Sequence, residues 1–554
     1  MKLPSLFTRS GSSDTTPALD VRTAGSTAVD PTRLRKAGRR AYVAPSKRGY
    51  SMAGGGHASY IDLPAEYRGS SRQICGLFPF SSGAGSPLAG VPLGSNLLTG
   101  NIVGLDHFTA YQRGLIPNPS VYFMSNPSLG KSTLVGKIVI GLDAFGVLSM
   151  TLGDVKGEHV LRTRMMGGQV IRLGNDRGYL NPLDSGIATR AAERLTGDLR
   201  KEVLAEAHYH RKSLLTALLT VGRGTTITEE ETIVLDKALR ILFDKFDGVP
   251  LVKDLSQVIA DRPEAIRNAV LDRGDDGRYA DSTDSLRKSL NGIADGSTIG
   301  GMFSKHTTAR LDINRSSVFD LSAIDDTLPE QQAAAMLASW STGFAAVKVS
   351  QVLADAGLEP RRNYNIVLDE LWRALRIGRG IVDRADSLTR LNRHQGVGQM
   401  MISHTLKDFD AVADAADRKK AQGFAERCAM IVMGGLNRSE MAAVQDLRNM
   451  TRAERQRIIS WSDVKNTTSR GGEQAPFGRG KFLIKLGQGP GIPVETRLTS
   501  IEDRVADTNK RWDRLRKEGL TPEEIEKQLG ITDEDVNGDG ANDGQNEETR
   551  DEAA

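Results

Sequence analysis

Two pairs of residues in this chain have the types and spacing for chemistry: Lys131 with Ser132, and Asp369 with Glu370. The first pair ends the run Ser125-Asn126-Pro127-Ser128-Leu129-Gly130-Lys131-Ser132, which follows the apolar segment Val121-Tyr122-Phe123-Met124 and leads through Thr133 and Leu134 into a helical stretch. A strand, a tight turn and a helix in that order aim backbone N–H groups and a helix N-terminus at one point, which suits a phosphate chain. Residues 125 to 133 would form the cradle, Lys131 would reach the β- and γ-phosphates, and the Ser132 hydroxyl would coordinate Mg²⁺. The full pattern for such a loop is G-x-x-x-x-G-K-[ST], and Ser125 stands at its first glycine. Serine is expected to reach a glycine's backbone angles there only at a cost.

The second pair closes the apolar run Asn365-Ile366-Val367-Leu368. A strand ending in two carboxylates is what a nucleotide hydrolase needs opposite its phosphate loop: Asp369 for the Mg²⁺ shell and Glu370 to polarise the attacking water. Taken alone, Asp-Glu after a strand is often a solvated helix start. The two motifs together, in this order and each at a strand end, point to ATP and Mg²⁺ as ligands.

The elements that must position these residues are short apolar runs at Val121–Met124, Val147–Leu152, Gln169–Leu173, Ile366–Leu368, Gln399–Ile402, Ala429–Met433 and Lys481–Lys485, most of them separated by helical stretches. Alternation of this kind predicts an α/β fold with a mostly parallel sheet. Between the two motifs the pattern turns helical. Leu195, Leu199 and Val203 keep helical spacing, and Thr228 with Glu231 reads as a capping box ahead of Ile233, Val234, Ala238, Leu239 and Leu242. The expected organisation is a disordered basic arm over 1–56 and a small β-rich lead-in over 57–119. A nucleotide-binding core follows over 120–185 and 313–505, split by an all-helical insertion over 186–312. Short helices and a disordered acidic tail occupy 506–554, with Thr521-Pro522-Glu523-Glu524 starting one helix.

Composition narrows the class. The chain has 554 residues, 39% hydrophobic and 26% charged, long enough for a large core. It has no run of 18 apolar residues and no apolar leader, so neither a transmembrane helix nor a secretory signal is expected. Cys75 and Cys428 offer no disulfide framework or metal cluster, which fits reduced thiols in a cytosolic protein. The net charge of +4 is unevenly spread: residues 1–50 carry ten Lys/Arg against three acids, whereas nine acids face one arginine from Asp533 onward. A basic arm can contact nucleic acid or anionic lipid. Asp535-Val536-Asn537-Gly538-Asp539-Gly540 opens like a calcium loop, but its twelfth position is Asn546 rather than the bidentate glutamate, so an acidic tail is the better reading.

Further segments carry a family resemblance: Asp154-Val155-Lys156-Gly157-Glu158, Gly167-Gly168-Gln169-Val170-Ile171-Arg172-Leu173-Gly174, Leu180-Asn181-Pro182-Leu183-Asp184, Leu368-Asp369-Glu370-Leu371-Trp372-Arg373 and Arg393-His394-Gln395-Gly396-Val397-Gly398. From about Gly76 to Ile501 the series resembles the conjugation and type IV secretion ATPases of the HerA–FtsK branch, especially the TraC-like transfer ATPases. Gly76-Leu77-Phe78-Pro79-Phe80 and Gly90-Val91-Pro92-Leu93-Gly94 resemble their actinobacterial form. The resemblance implies a RecA/HerA–FtsK-like P-loop NTPase that works as a homo-hexamer and drives conjugative DNA transfer or secretion. Type IV secretion membrane components are its implied partners, with DNA as a further candidate, and its implied place is cytoplasmic, at the inner face of the membrane. It also implies that Arg393, or more weakly Arg427, contacts a neighbour's nucleotide, and that Asp154, Lys156 and Glu158 flank the pocket. His404, in Met401-Ile402-Ser403-His404, stands where the family often has a γ-phosphate-sensing glutamine. With Ser125 and His404 departing from the pattern, turnover is expected to be weak or partner-dependent. A DNA-pumping coupling protein, a HerA-like translocase and a non-hydrolysing, ATP-gated assembly protein are the alternatives.

Overall fold

Among the described residues eleven short strands, most of them alternating with helices along the chain, join one sheet. The computed structural model describes residues 85–174, 176–375, 396–411, 415–462 and 476–506, all within one compact unit, Ser82–Ala554. The basic arm, the acidic tail, the helix expected at Thr521, Cys75, Arg393 and the lead-in up to residue 84 lie outside the described residues. The strands are β1 (Pro92–Asn96), β2 (Ile102–Gly104), β3 (Ser120–Met124), β4 (Val147–Asp154), β5 (Gln169–Arg172), β6 (Ser317–Asp320), β7 (Asn363–Leu368), β8 (Val397–Ser403), β9 (Met430–Met433), β10 (Lys481–Leu486) and β11 (Ile492–Thr496). Their order across the sheet is β2-β1-β11-β10-β9-β3-β8-β7-β4-β6-β5. From β9 to β5 every pairing is parallel, and from β9 to β2 every pairing is antiparallel.

Each of the seven strands expected from apolar runs is present. Four others were not on that list. β6 (Ser317-Val318-Phe319-Asp320) has only two apolar residues between polar ends, yet all four are buried because it lies between β4 and β5. β11 carries a proline and an acid, and β1 with β2 extends the same sheet from the lead-in.

The strands alternate between two cores, as a period of two requires. Val121 and Phe123, with Val367, Met400, Ile402 and Val432, face one cluster. Tyr122 and Met124, with Ile366, Leu368, Met401, Ile431 and Met433, face the other. Short helix α1 (His107–Gln112) precedes β3, and α2 (Lys131–Ala144) covers the first face with Leu134, Val135, Ile138, Val139 and Leu142.

Helix α3 (Val160–Met165) follows β4. The helical block then comprises α4 (Gly186–Arg194), α5 (Gly197–Arg223), α6 (Glu229–Lys245), α7 (Val252–Ala260), α8 (Glu264–Val270) and α9 (Asp276–Ala294). The capping box forms as expected: Glu231 N donates to Thr228 Oγ1 at 3.1 Å, and Thr228 N donates to the Glu231 carboxylate at 2.9 Å. The helix expected through Leu195, Leu199 and Val203 is broken instead. Leu195 ends α4 in an extended conformation, Thr196 caps the next helix and Gly197 takes φ +61°. Only glycine reaches that angle without strain, so the chain turns there and leaves Leu199 exposed.

Helix α10 (Pro329–Asp355) joins this block to the sheet. It is buried on most of its surface, as a helix between two layers must be. One side rests on β4, where Trp340 Nε1 donates to the Leu152 carbonyl at 2.9 Å, and another packs on α5. The second core therefore runs without a break from the sheet into the helical block. Trp340→Phe should lower stability by about 1–3 kcal/mol through the orphaned Leu152 carbonyl. Chemical denaturation would read this as a lower midpoint with an unchanged slope, and an unchanged midpoint would refute it.

Candidate active site

Of three neighbouring parallel strands, β3 and β8 end level with one another and β7 ends two residues short of them. Met124 of β3 pairs in register with Ser403 of β8, and Leu368 of β7 pairs with Met401 of β8. The carboxyl ends of such strands are where α/β sheets present their loops to ligands. The phosphate-loop motif leaves β3 here, His404 leaves β8, and Asp369-Glu370 leaves β7. The two sequence motifs are thus not direct neighbours; β8 lies between them and carries the residue that links them.

The loop is built as its sequence demands at one glycine and not at the other. Gly130 has φ +91° and caps α2, with no side chain occupying the helix's first N–H groups. Ser128 takes φ +64°, a strained angle for serine. Ser125 does not: its backbone lies outside the left-handed region, so the cost expected there is absent. Its room comes from Gly434, where a Cβ would stand 2.3 Å from Ser125 Oγ. The loop is tied from behind, since Ser125 N donates to His404 O, Asn126 N to Gly435 O, and Gly480 N to Leu129 O. Asn126 Nδ2 also donates to Asn437 Oδ1 at 3.2 Å. Leu129 is buried, and Pro127, Ser132 and Thr133 complete the turn and the first turn of α2.

Lys131 is buried, and burial pulls its pKa down against the opposing pull of Asp369 and Glu370. Its ammonium donates to the Ser403 carbonyl at 2.9 Å and to His404 Nδ1 at 3.2 Å. Because the ammonium can only donate, Nδ1 accepts and the ring proton sits on Nε2. Nε2 lies 3.2 Å from Glu370 Oε1, so His404 bridges the lysine and the glutamate. The turn that carries it is held by the Asp408 carboxylate, which accepts from Ser403 Oγ at 2.6 Å, His404 N at 3.0 Å and Thr405 N at 2.9 Å.

Glu370 has φ +48° and is buried. Its Oε1 also accepts from Lys156 Nζ at 2.5 Å, and its Oε2 accepts from Trp372 Nε1 at 2.6 Å. Burial alone would raise its pKa; the hydrogen bonds from His404 and Lys156 and the charge of Lys156 override this and hold the carboxyl well below the usual carboxylate range. Asp369 is likewise held low despite its burial, chiefly by His159, whose Nε2 lies 3.4 Å from Asp369 Oδ2. Asp154 accepts from the backbone N–H groups of Glu158 and His159 and is pushed up by burial. Arg162 Nη1 lies 3.1 Å from His159 Nδ1, and its Nη2 reaches the Ser132 carbonyl at 3.5 Å.

Lys131, Asp369, Glu370 and His404, singled out from sequence, therefore meet at one place, with Asp154 and Lys156 beside them. Arg393 lies outside the described residues. Arg427 ends the helix α11 (Ala415–Arg427) just before β9, at the opposite, amino-terminal edge of the parallel strands, stacked on Phe424. His159, Arg162, Trp372 and Asp408 were not anticipated. The S/T-x-x-D spacing of Thr405 and Asp408 was the readable signal for one of them.

Ser125 and Gly434 share one small volume, which makes the pair testable. Gly434→Ala should cost about 1–3 kcal/mol by overpacking. Ser125→Gly in the same chain should recover most of that loss in chemical denaturation, while Ser125→Gly alone should leave nucleotide affinity unchanged. A double variant no more stable than Gly434→Ala would show that the two residues do not compete for this space.

No protein-family model and no curated protein matches the chain. Among solved structures it is similar to VirB4 of Thermoanaerobacter pseudethanolicus, at 18% identity over 76% of this chain and 100% of that one, with a TM-score of 0.54. Weaker likenesses are to the plasmid coupling protein TrwB in complex with ADP and Mg²⁺ (12% identity, 76% of this chain and 97% of that one, TM-score 0.46) and to an unbound form of the bacterial conjugative coupling protein TrwB (14%, 69% and 85%, TM-score 0.41). The chain has an α/β P-loop fold of the VirB4 kind, as the resemblance of its motifs implied.

Proposed function

We propose that this chain is an ATP-hydrolysing motor of a conjugative DNA-transfer or type IV secretion system. The observation that carries the reading is the chain Lys131–His404–Glu370 at the carboxyl ends of β3, β8 and β7, its lysine and glutamate buried, on a fold shared with VirB4. The donor set fits Mg-ATP. Ser132 and Asp369 offer hard oxygen ligands, and among the described residues no group of three or more His, Cys, Asp or Glu forms a dedicated metal cage. Mg²⁺ is commonly held in this way, by one or two protein oxygens together with phosphates and water. When bound, it neutralises charge on the phosphate oxygens.

The chain's own residues would then act as follows. The loop N–H groups and the N-terminus of α2 bind the phosphates, and Lys131 exchanges Ser403 O and His404 Nδ1 for phosphate oxygens. His404 thereby reports occupancy of the loop to Glu370. Glu370, ionised throughout the neutral range, orients the attacking water once one of its oxygens is released by its donors. Arg393 remains the candidate for completing a neighbouring subunit's site in a homo-hexamer. The helical block over 186–312 would move with turnover through α10, which packs on both β4 and α5. Among the described residues no helix is long and apolar enough to cross a membrane. A peripheral position at the inner face, docked on secretion-system membrane components with DNA as a further partner, is the placement we propose.

A second reading is an ATP-gated assembly protein with negligible hydrolysis. It draws on Glu370, both of whose oxygens are taken by Lys156, His404 and Trp372, leaving a weak base. A coupling protein or HerA-like translocase would show turnover stimulated by DNA.

Phosphate release with Mg-ATP, alone and with single- or double-stranded DNA, separates these. Lys131→Ala should lose both binding and release. Glu370→Gln should keep ATP binding and lose about a hundredfold or more in kcat. Wild-type turnover by either variant would sink the motor assignment, and ATP-dependent oligomerisation without phosphate release would favour the gated reading.

A further inference from the structure

Three buried residues behind the site, His159, Arg162 and Gly136, have no part in the scheme above. We infer that His159 and Arg162 are positioning residues that set Asp369 and Ser132 for the cation of the nucleotide complex, and that Gly136 is the space that admits Arg162. This rests on the functional reading of the same site.

The geometry runs through one ring. Asp154, itself buried, fixes the backbone ahead of α3 by accepting from Glu158 N at 3.1 Å and His159 N at 2.7 Å. His159 is 1% exposed, with Nε2 directed at Asp369 Oδ2 and Nδ1 at Arg162 Nη1. A guanidinium has donors only, so Nδ1 must accept, and the imidazole proton is placed on Nε2, facing Asp369. Arg162 therefore selects the tautomer that donates to the carboxylate. A metal ligand's orientation is set in the same way by the hydrogen bond behind it.

Arg162 also reaches the other proposed cation ligand. Its Nη2 meets the Ser132 carbonyl in the first turn of α2, and its guanidinium lies flat on that helix at Gly136. A Cβ at Gly136 would stand 2.1 Å from Arg162 Cζ, so any larger residue evicts the side chain. One buried cation thus spans from the residue that offers a hydroxyl to the residue that orients the carboxylate. It fixes their separation.

The test compares affinity for a fluorescent ATP analogue in Mg²⁺ and in EDTA, with Mn²⁺ binding followed by electron paramagnetic resonance, on the full chain. His159→Ala should raise the Mg²⁺ concentration needed for half-maximal binding by about 10–100-fold and leave affinity in EDTA little changed. His159→Gln, whose Nε2 can still donate to Asp369, should recover most of the loss. Arg162→Met and Gly136→Ala should reproduce the His159→Ala effect. Should either fail to fold, the His159 pair decides alone. Equal losses in Mg²⁺ and EDTA, or an unchanged Mg²⁺ requirement in folded His159→Ala, would overturn the inference. A wild-type chain that binds no analogue under either condition has a different signature and would overturn the functional reading, and this inference with it.

Discussion

The hydrogen-bond chain from Lys131 through the His404 ring to Glu370 depends on the register of three parallel strands: β3 and β8 end level, and β7 ends two residues short, so that Glu370, two residues past its strand, meets His404. Each link needs its neighbour within about 3 Å, and a strand advances about 3.3 Å per residue, so a slip of one residue in β8 would break both contacts. The pairing of Met124 with Ser403 and of Leu368 with Met401 is therefore the constraint beneath the site. It is held by the two cores that grip alternate residues of β3, β7 and β8 from opposite faces. A slip would exchange those faces along the whole strand.

Burial gives the site its electrostatic character. Lys131, Asp369, Glu370, His159 and Arg162 are all buried within a small region, and each is tolerated because an opposite charge or a directed hydrogen bond answers it. Removing one member of such a set leaves a partner stranded in a poorly solvating environment, which costs more than the lost contact itself. The organisation is alternately donor and acceptor outward from the phosphate loop. It leaves one route for rearrangement: a ligand that draws Lys131 away changes what His404 can offer Glu370.

Much of this could be read in advance where chemistry coincided with a strand end. The phosphate loop after Val121–Met124 and the carboxylates after Leu368 were legible because an apolar run and a polar motif adjoin in the chain. The interposition of β8 was not, since strand order is fixed by crossovers rather than by local pattern. Ser125 was misjudged for a related reason: its strain was inferred from a motif, whereas the space it uses belongs to Gly434, more than three hundred residues away in sequence. β6 was hidden by its polar ends, and the helix drawn through Leu195 ignored what Gly197 permits. His159 directly follows the Asp154–Glu158 segment, yet nothing in the local sequence marks what it or Arg162 faces. Only the packing of α3 against α2 shows what they face.

The indole of Trp372 gives the site an optical consequence. Its N–H is committed to the Glu370 carboxylate, and the Arg373 guanidinium lies 5.5 Å from its ring centroid. Of the chain's four tryptophans, Trp340 and Trp461 are buried within the second core. An indole beside a carboxylate and a cation emits according to the local field, so any event that moves Glu370 is written into the colour of Trp372. The protein carries a native chromophore one hydrogen bond from its proposed reaction centre, and the timing of that centre can be followed by light without attaching a label.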